Sequence, residues 1–356
     1  MLVTLENFSN STNAGDYSSL NYGINVPISY NTELGKNAAG GSNSVSPQWL
    51  SRLFQPFYTT LYMGARCYIP PSQGNIGFIS FISGPVNNPG STQVGIQFNV
   101  DGTISVFSTA SMTGAYGVEF VNIGPIISTS TESVYVPGIP FYFEMCVTCG
   151  TSNGSIQVNI NETTVLYLNG INTNPTGVGY LKGFALYCGG SALNAGYSPY
   201  VTDIYVCDNT GSNWNTFQGD VNIQSLFPVA NHTVQFVPTG STNWQNVAQV
   251  PPNAGSYYNT GNTANQTDTF TMGSLSANTA DILGVVVRTL ASGPAGGLHT
   301  FQQVVQSNVN VSVSNAQTLT TAFVYYDNLF NVDPNTGEEW TVNAVNNIIV
   351  GYEILT

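Results

Sequence analysis

The chain has 356 residues, of which only 6% are charged: 5 Lys plus Arg stand against 18 Asp plus Glu, for a formal net charge of −13. An ordinary globular domain carries about 25% charged residues, yet 42% of this chain is apolar, so a folded protein of two domains is expected rather than a disordered polymer. Nucleic acid and anionic membranes are excluded as partners because no window supplies clustered Lys or Arg, and no apolar run reaches the length of about 20 residues that spans a bilayer.

The opening MLVTLENFSNSTN lacks the basic, apolar and small-residue regions of a secretory leader. Synthesis in a cytoplasm, with retention or release by lysis, is expected. Residues 1–55 stay unplaced except for 46–53 (SPQWLSRL), where a Ser cap, a Pro in the first turn and apolar spacing predict a short helix. Residues 58–69 (YTTLYMGARCYI) and 75–83 (NIGFISFIS) read as adjacent strands. Residues 93–100 and 103–108 flank Asp101-Gly102, a dipeptide that readily takes positive φ and so predicts a hairpin with a two-residue turn. Residues 141–147 and 154–170 alternate in character. Phe141, Phe143, Met145, Val147, Ile156, Val158 and Ile160 lie on buried faces, whereas Gln157, Asn159 and Asn161 lie on a wet one. Ile204 and Val206 continue the pattern after a Gly-rich loop at 189–196.

Eight or more strands without long helices predict a sandwich over residues 1–208. Between Asp208 and Asp220 the pattern breaks into polar turn residues, and the second domain is placed at 209–356. There a fresh series starts at 221–227, strands are expected at 233–237, 267–272, 281–290, 302–313, 322–328 and 347–355, and a helical turn at 341–346. A loop dense in Pro, Asn and Gly fills 238–265, and the whole again describes a sandwich, smaller than the first.

The chemistry-bearing residues are few. His232 and His299 are the only histidines, each in a loop, and no nucleophile elbow, phosphate loop or dinucleotide fingerprint occurs. A glycosidase needs two carboxyls flanking the scissile bond. Asp203 and Asp208 fall at opposite ends of one short strand, Glu338 and Glu339 are adjacent in a turn, and the ExDxxE run of concanavalin-like glucanases is missing. The chain is therefore expected to lack catalysis and a cofactor. Asp203, Asp208, Asn209 and Asp220 could assemble a calcium site, but their spacing matches no EF-hand loop and turn capping accounts for them, so no metal is expected. Cys146 and Cys149 form a CxxC with no second pair or histidines beside it, which reads as half-buried thiols. Trp49 and Trp340 adjoin apolar segments and belong to cores. Trp214, Trp244, Tyr257 and Tyr258 lie in polar loops, where exposed rings would suit a sugar or a protein partner.

Three stretches carry a resemblance: FYFEMCVTCGTSNGSIQVNINETTVLYLNGINTN (141–174), VTDIYVCDNTGSNWNTFQGDVNIQSLFPVANHTVQFVPTGSTNWQNVAQVPPNAGSYYNT (201–260) and VYYDNLFNVDPNTGEEWTVNAVNNIIVGYEI (324–354). Together they resemble a family of tailed-bacteriophage virion proteins. The resemblance implies an all-β chain, a concanavalin/laminin-G-like jelly-roll sandwich followed by a second, smaller β-sandwich. The DIYVCD motif would close the first and GDV would open the second. It implies a structural component of the virion exterior, tail- or fibre-associated and engaged in host-surface attachment, assembled in the host cytoplasm. Its partners would be other virion proteins and a host-surface glycan, in a homo-oligomer for which a trimer suits appendage symmetry. The alternatives are a capsid decoration (cement) protein and a carbohydrate-binding module without an attachment role. The segment 290–300 (LASGPAGGLHT), Arg-rich in many relatives, is neutral here.

Overall fold

The computed structural model describes residues 1–8, 22–24, 27–40, 48–71, 78–84, 92–114, 119–188, 199–277, 279 and 281–356. They fall into two compact units, Met1–Ile223 and Gln224–Thr356.

The first unit holds β1 (Leu2–Glu6), β2 (Tyr22–Ile24), β3 (Ile28–Asn31), β4 (Lys36–Gly40), β5 (Gln48–Tyr58), β6 (Thr60–Tyr68), β7 (Phe78–Ile82), β8 (Thr92–Phe98), β9 (Ile104–Ser108), β10 (Ala110–Gly114), β11 (Glu119–Ile123), β12 (Ile126–Thr129), β13 (Phe141–Thr148), β14 (Gly154–Ile160), β15 (Thr163–Ile171), β16 (Leu181–Cys188) and β17 (Tyr200–Asp208). Eight of them form one sheet, in the order β15-β14-β13-β6-β17-β4-β3 with β1 beside β17, and seven form another, in the order β12-β9-β8-β7-β16-β5-β2. Alternation turns Leu61, Met63, Ala65 and Cys67 of β6, and Phe143, Met145 and Val147 of β13, to one buried face of the eight-stranded sheet. Phe98 of β8 meets them from the second sheet, its ring centroid 5.6 Å from that of Phe141 and 5.9 Å from that of Phe143. Each such ring contributes roughly 1.5–3 kcal/mol by leaving water. The jelly-roll sandwich read from the sequence is present.

Two local expectations give way to the pairing observed. The helix expected at 46–53 is strand from Gln48 onward, because β5 is hydrogen-bonded to β16 on one side and β2 on the other; residues 46 and 47 lie outside the described residues. The Asp101-Gly102 hairpin exists, but beyond the Phe98–Ile104 pair Asn99 N–H donates to Thr103 O at 2.9 Å and Gly102 N–H to Asn99 O at 3.0 Å, giving a three-residue loop over 100–102. The two-residue turn belongs instead to β14–β15, where Asn161 (φ 46°) and Glu162 (φ 65°) both take the left-handed conformation that such turns need.

The second unit contains β18 (Pro228–Thr233), β19 (Val237–Thr239), α1 (Asn243–Val247), β20 (Tyr258–Thr260), β21 (Thr267–Met272), β22 (Val285–Ala291), β23 (Thr300–Ser307), β24 (Asn310–Val313), β25 (Gln317–Thr318), β26 (Val324–Phe330), α2 (Val342–Asn346) and β27 (Ile349–Ile354). A six-stranded sheet runs β18-β21-β27-β23-β24 with β25 beside β23, and β22 and β26 form a separate pair. Val305 of the larger sheet packs with Val287 of β22, Phe330 of β26, Trp340, Val345 and Ile348 in one core. Trp340 donates its indole N–H to Phe330 O at 2.8 Å, the core role expected of it. The run 302–313, expected as one strand, folds back on itself at Asn308 (φ 53°), so β23 and β24 are a hairpin. The stretch 238–265, expected as loop, carries most of β19 and all of α1 and β20, and fully buried Asp268 fastens its start, accepting Gln235 N–H at 2.8 Å, Phe236 N–H at 2.9 Å and Asn243 Nδ2 at 2.7 Å.

Candidate functional site

Residues 209–223, expected to open the second domain, belong to the first unit. They form a strap across the outward face of the eight-stranded sheet, held by side chains that alternation turns away from the core. Tyr62 of β6 and Phe217 of the strap meet edge to face, with centroids 5.2 Å apart. Cys207 Sγ donates to Thr216 O at 3.3 Å. Buried Glu144 gathers three donors on one oxygen: Tyr205 Oη at 2.5 Å, and Gln218 and Gly219 N–H at 2.9 Å each. Gly64 makes the room for this cluster, since a Cβ there would lie 2.1 Å from Tyr142 Oη and 2.3 Å from Tyr205 Cε1.

The strap ends in an ionic clasp. Lys36 Nζ reaches both oxygens of Asp203, at 2.8 and 2.7 Å, and Ile223 O at 3.1 Å. Ile223 N–H donates to Asp203 at 3.1 Å, and Arg66 bonds Asp220 through Nε at 2.8 Å and Nη2 at 3.0 Å. Asp203 sits in the left-handed region (φ 51°) at a register shift of β17, which turns its carboxyl toward Lys36. Burial pushes that carboxyl up, while Lys36, Ile223 N–H and Arg66 pull it back. Protein cations thus occupy the place that the calcium reading of Asp203 and Asp220 would fill. Asp208 instead accepts Thr210 N–H at 2.9 Å and its hydroxyl at 2.8 Å.

Beyond the strap, the outward face continues on β14 and β15 as a polar shelf. Gln157 Nε2 donates to Asn159 Oδ1 at 3.1 Å and to Thr164 Oγ1 at 3.0 Å, and Thr164 Oγ1 donates to Asn159 Oδ1 at 2.9 Å. Tyr167, directly opposite Gln157, stands 60% exposed. The mutual bonds use the Gln157 amine, which leaves Gln157 Oε1 as an acceptor beside the Tyr167 ring, while Asn159 is itself buried and fixes the Gln157 side chain. A ring with a fixed polar group beside it suits the apolar face and hydroxyls of a sugar.

The four aromatics picked out by sequence are divided between the two units. Trp214 is in the strap of the first unit, half-buried at φ 52°, with its indole N–H buried and unpartnered. Trp244 on α1 and Tyr257 are half-buried in the second unit, where Trp244 N–H caps onto Asn231 Oδ1 at 2.8 Å. Tyr258 is 36% exposed on β20. The histidines serve local bonds, His232 Nδ1 with Thr269 Oγ1 at 3.0 Å and His299 Nε2 with Gly296 O at 2.9 Å. Cys146 and Cys149 are half-buried as expected; burial pushes the Cys146 thiol up to about 11 and the Cys207 thiol to about 12. Among the described residues, no group of three or more His, Cys, Asp or Glu is placed to hold a metal ion.

No protein-family model matches the chain, and no curated protein sequence does. Solved structures do. An alginate lyase from Chlorella virus aligns at 14% identity and TM-score 0.41, covering 58% of this chain and 99% of the lyase. The alginate lyase Aly36B, in a variant complexed with alginate tetrasaccharide, aligns at 16% identity and TM-score 0.37, over 57% of this chain and 95% of that one. The lectin UEA-II complexed with galactose aligns at 9% identity and TM-score 0.30, over 52% and 90%. The class defined is the all-β sandwich with a jelly-roll unit. The expectation of a chain without catalysis is corrected by these matches, since alginate lyases and a sialidase stand among them: enzymes are built on such folds, and missing sequence motifs do not exclude one.

Proposed function

We propose that the chain is a structural protein of a tailed-bacteriophage virion, tail- or fibre-associated, whose first unit turns the Gln157–Tyr167 shelf toward a host-surface glycan. The observation that carries the reading is the shelf itself: a 60% exposed Tyr167 ring beside amides already fixed by their mutual bonds. The phage assignment is supported by the resemblance of residues 141–354. The cation shortage agrees with it, because Lys36, Arg66 and Arg288 are held in ion pairs, Arg52 donates to Thr4 Oγ1 and Lys182 lies over the Phe57 ring, 5.2 Å from its centroid. The surface is therefore left to uncharged polar groups and acids, and a neutral glycan is the ligand that meets it without repulsion.

Tyr167→Ala tests the reading. Ring stacking contributes about 0.5–1.5 kcal/mol, so adsorption of the purified protein to host envelopes weakens about 2- to 13-fold while the melting temperature holds. Trp244→Ala, in the other unit, leaves adsorption unchanged. Equal adsorption by wild type and Tyr167→Ala removes the shelf from the account. Reducing ends counted in the same incubations register any cleavage of the glycan.

A further inference from the structure

The six-stranded sheet of the second unit has two edges, and they are built differently. At β18 the ladder starts on Pro228 and its register shifts twice against β21, devices that blunt an edge against further pairing. At β24 the ladder to β23 is unbroken, from Ser307–Asn310 through Val304–Val313. No described strand pairs with β24 on its other side. Val309, Val311 and Val313 are 76%, 56% and 44% exposed. Asn310 Nδ2 bonds Asn335 Oδ1 at 3.2 Å, which holds the strand in place. From Thr289 to Tyr326 the sequence contains no Asp, Glu, Lys or Arg, so the Lys that commonly guards such an edge is missing as well.

We propose that this edge pairs antiparallel with the same edge of a second copy of the chain. The sequence is its own complement. In the register centred on Val311, that residue meets Val311 of the partner subunit, Val309 meets Val313 of the partner subunit, and Asn310 meets Ser312 of the partner subunit. Apolar pairs fall on one face and polar pairs on the other, the cross-strand arrangement that stabilises sheets. Electrostatics admits the same occupant. Two copies, each at −13, repel wherever their acids meet, and this uncharged stretch lets them approach. A strongly charged partner finds no counter-charge here. The pairing is isologous, which makes the assembly a two-fold dimer joined through the second unit.

Sedimentation velocity of the full chain at micromolar concentration tests the proposal. Wild type sediments as a dimer, and Val311→Lys, which places opposed ammonium groups on the two-fold axis, sediments as a monomer with an unchanged circular-dichroism spectrum and melting temperature. Val309→Lys lies at the turn outside the ladder, so it dissociates the dimer without touching an intrachain strand bond. A monomeric or trimeric wild type, or a dimer that persists in Val309→Lys, overturns the proposal.

Discussion

Lys36→Met is the perturbation that reads the clasp most directly. The substitution keeps the length of the side chain and removes its charge. Asp203 is fully buried and Lys36 one-quarter exposed, so the ammonium is what allows a carboxylate at this depth. Deleting one partner of a buried ion pair costs about 3–5 kcal/mol, because the other is left desolvated and unpaired. Arg66 Nε stays 3.7 Å from Asp203 and Ile223 N–H still donates to it, which places the loss at the low end, about 3 kcal/mol. For a unit of this size each kcal/mol moves the midpoint by about 2–4 °C, so calorimetry should show the first unit melting about 6–12 °C lower. Adding Asp203→Asn replaces the stranded carboxylate with a neutral amide, and the double variant recovers at least half of the loss, a coupling that a merely local packing defect in Lys36→Met would not show. A drop below about 2 °C, or a double variant whose losses simply add, refutes the view that strap and sheet are joined by charge.

The remaining expectations concern other parts of the chain. Gly64→Ala drives a methyl into Tyr142 and Tyr205 and should lower stability by about 1–3 kcal/mol in a denaturant titration, with the near-ultraviolet signal of the Tyr cluster altered. Asp268→Ala strands the N–H groups of Gln235 and Phe236; it should cost the second unit about 2–4 kcal/mol by the same titration, leaving the first unit's transition in place. Burial raises the Cys146 thiol to about 11, and the Cys207 thiol and the Tyr62 phenol to about 12. The folded chain therefore keeps protons that the unfolded chain releases from about pH 9 upward, so stability should fall as pH rises through that range. Melting temperatures that stay level from pH 8 to pH 11 would contradict this ordering. Labelling of Cys146 and Cys207 by iodoacetamide at neutral pH should likewise be negligible until the chain unfolds.

Strand alternation was the legible part of this sequence. It sorted Ile156, Val158 and Ile160 from Gln157 and Asn159, and so placed two amides of the shelf on the correct face. It could not find Tyr167, because the register of β14 against β15 shifts between Val158 and Asn159. The extra residue there puts Tyr167 on the same face as Thr164, where strict alternation would oppose them. The strap was equally hidden. Its residues have no periodicity of their own and are held by Glu144, Asp203 and Arg66, all distant in sequence, so it reads as a linker until those donors and acceptors are in place. At 46–53 the local Ser-Pro cap signal lost to pairing on both flanks of β5, which supplies backbone bonds along its length where a two-turn helix supplies few. Choosing Trp214, Trp244, Tyr257 and Tyr258 because they lie in loops assumed that loop aromatics are exposed. Three of the four are half-buried, and the most exposed shelf ring sits on an edge strand.

The proposed virion-surface protein presents the Gln157–Tyr167 shelf outward. Cryo-electron microscopy of the intact phage particle tests it most directly. The account predicts density for both units on the outside of the tail or its appendages, with β14 and β15 facing solvent. Absence of the chain from the particle, or density that buries this face against a neighbouring virion protein, would contradict it.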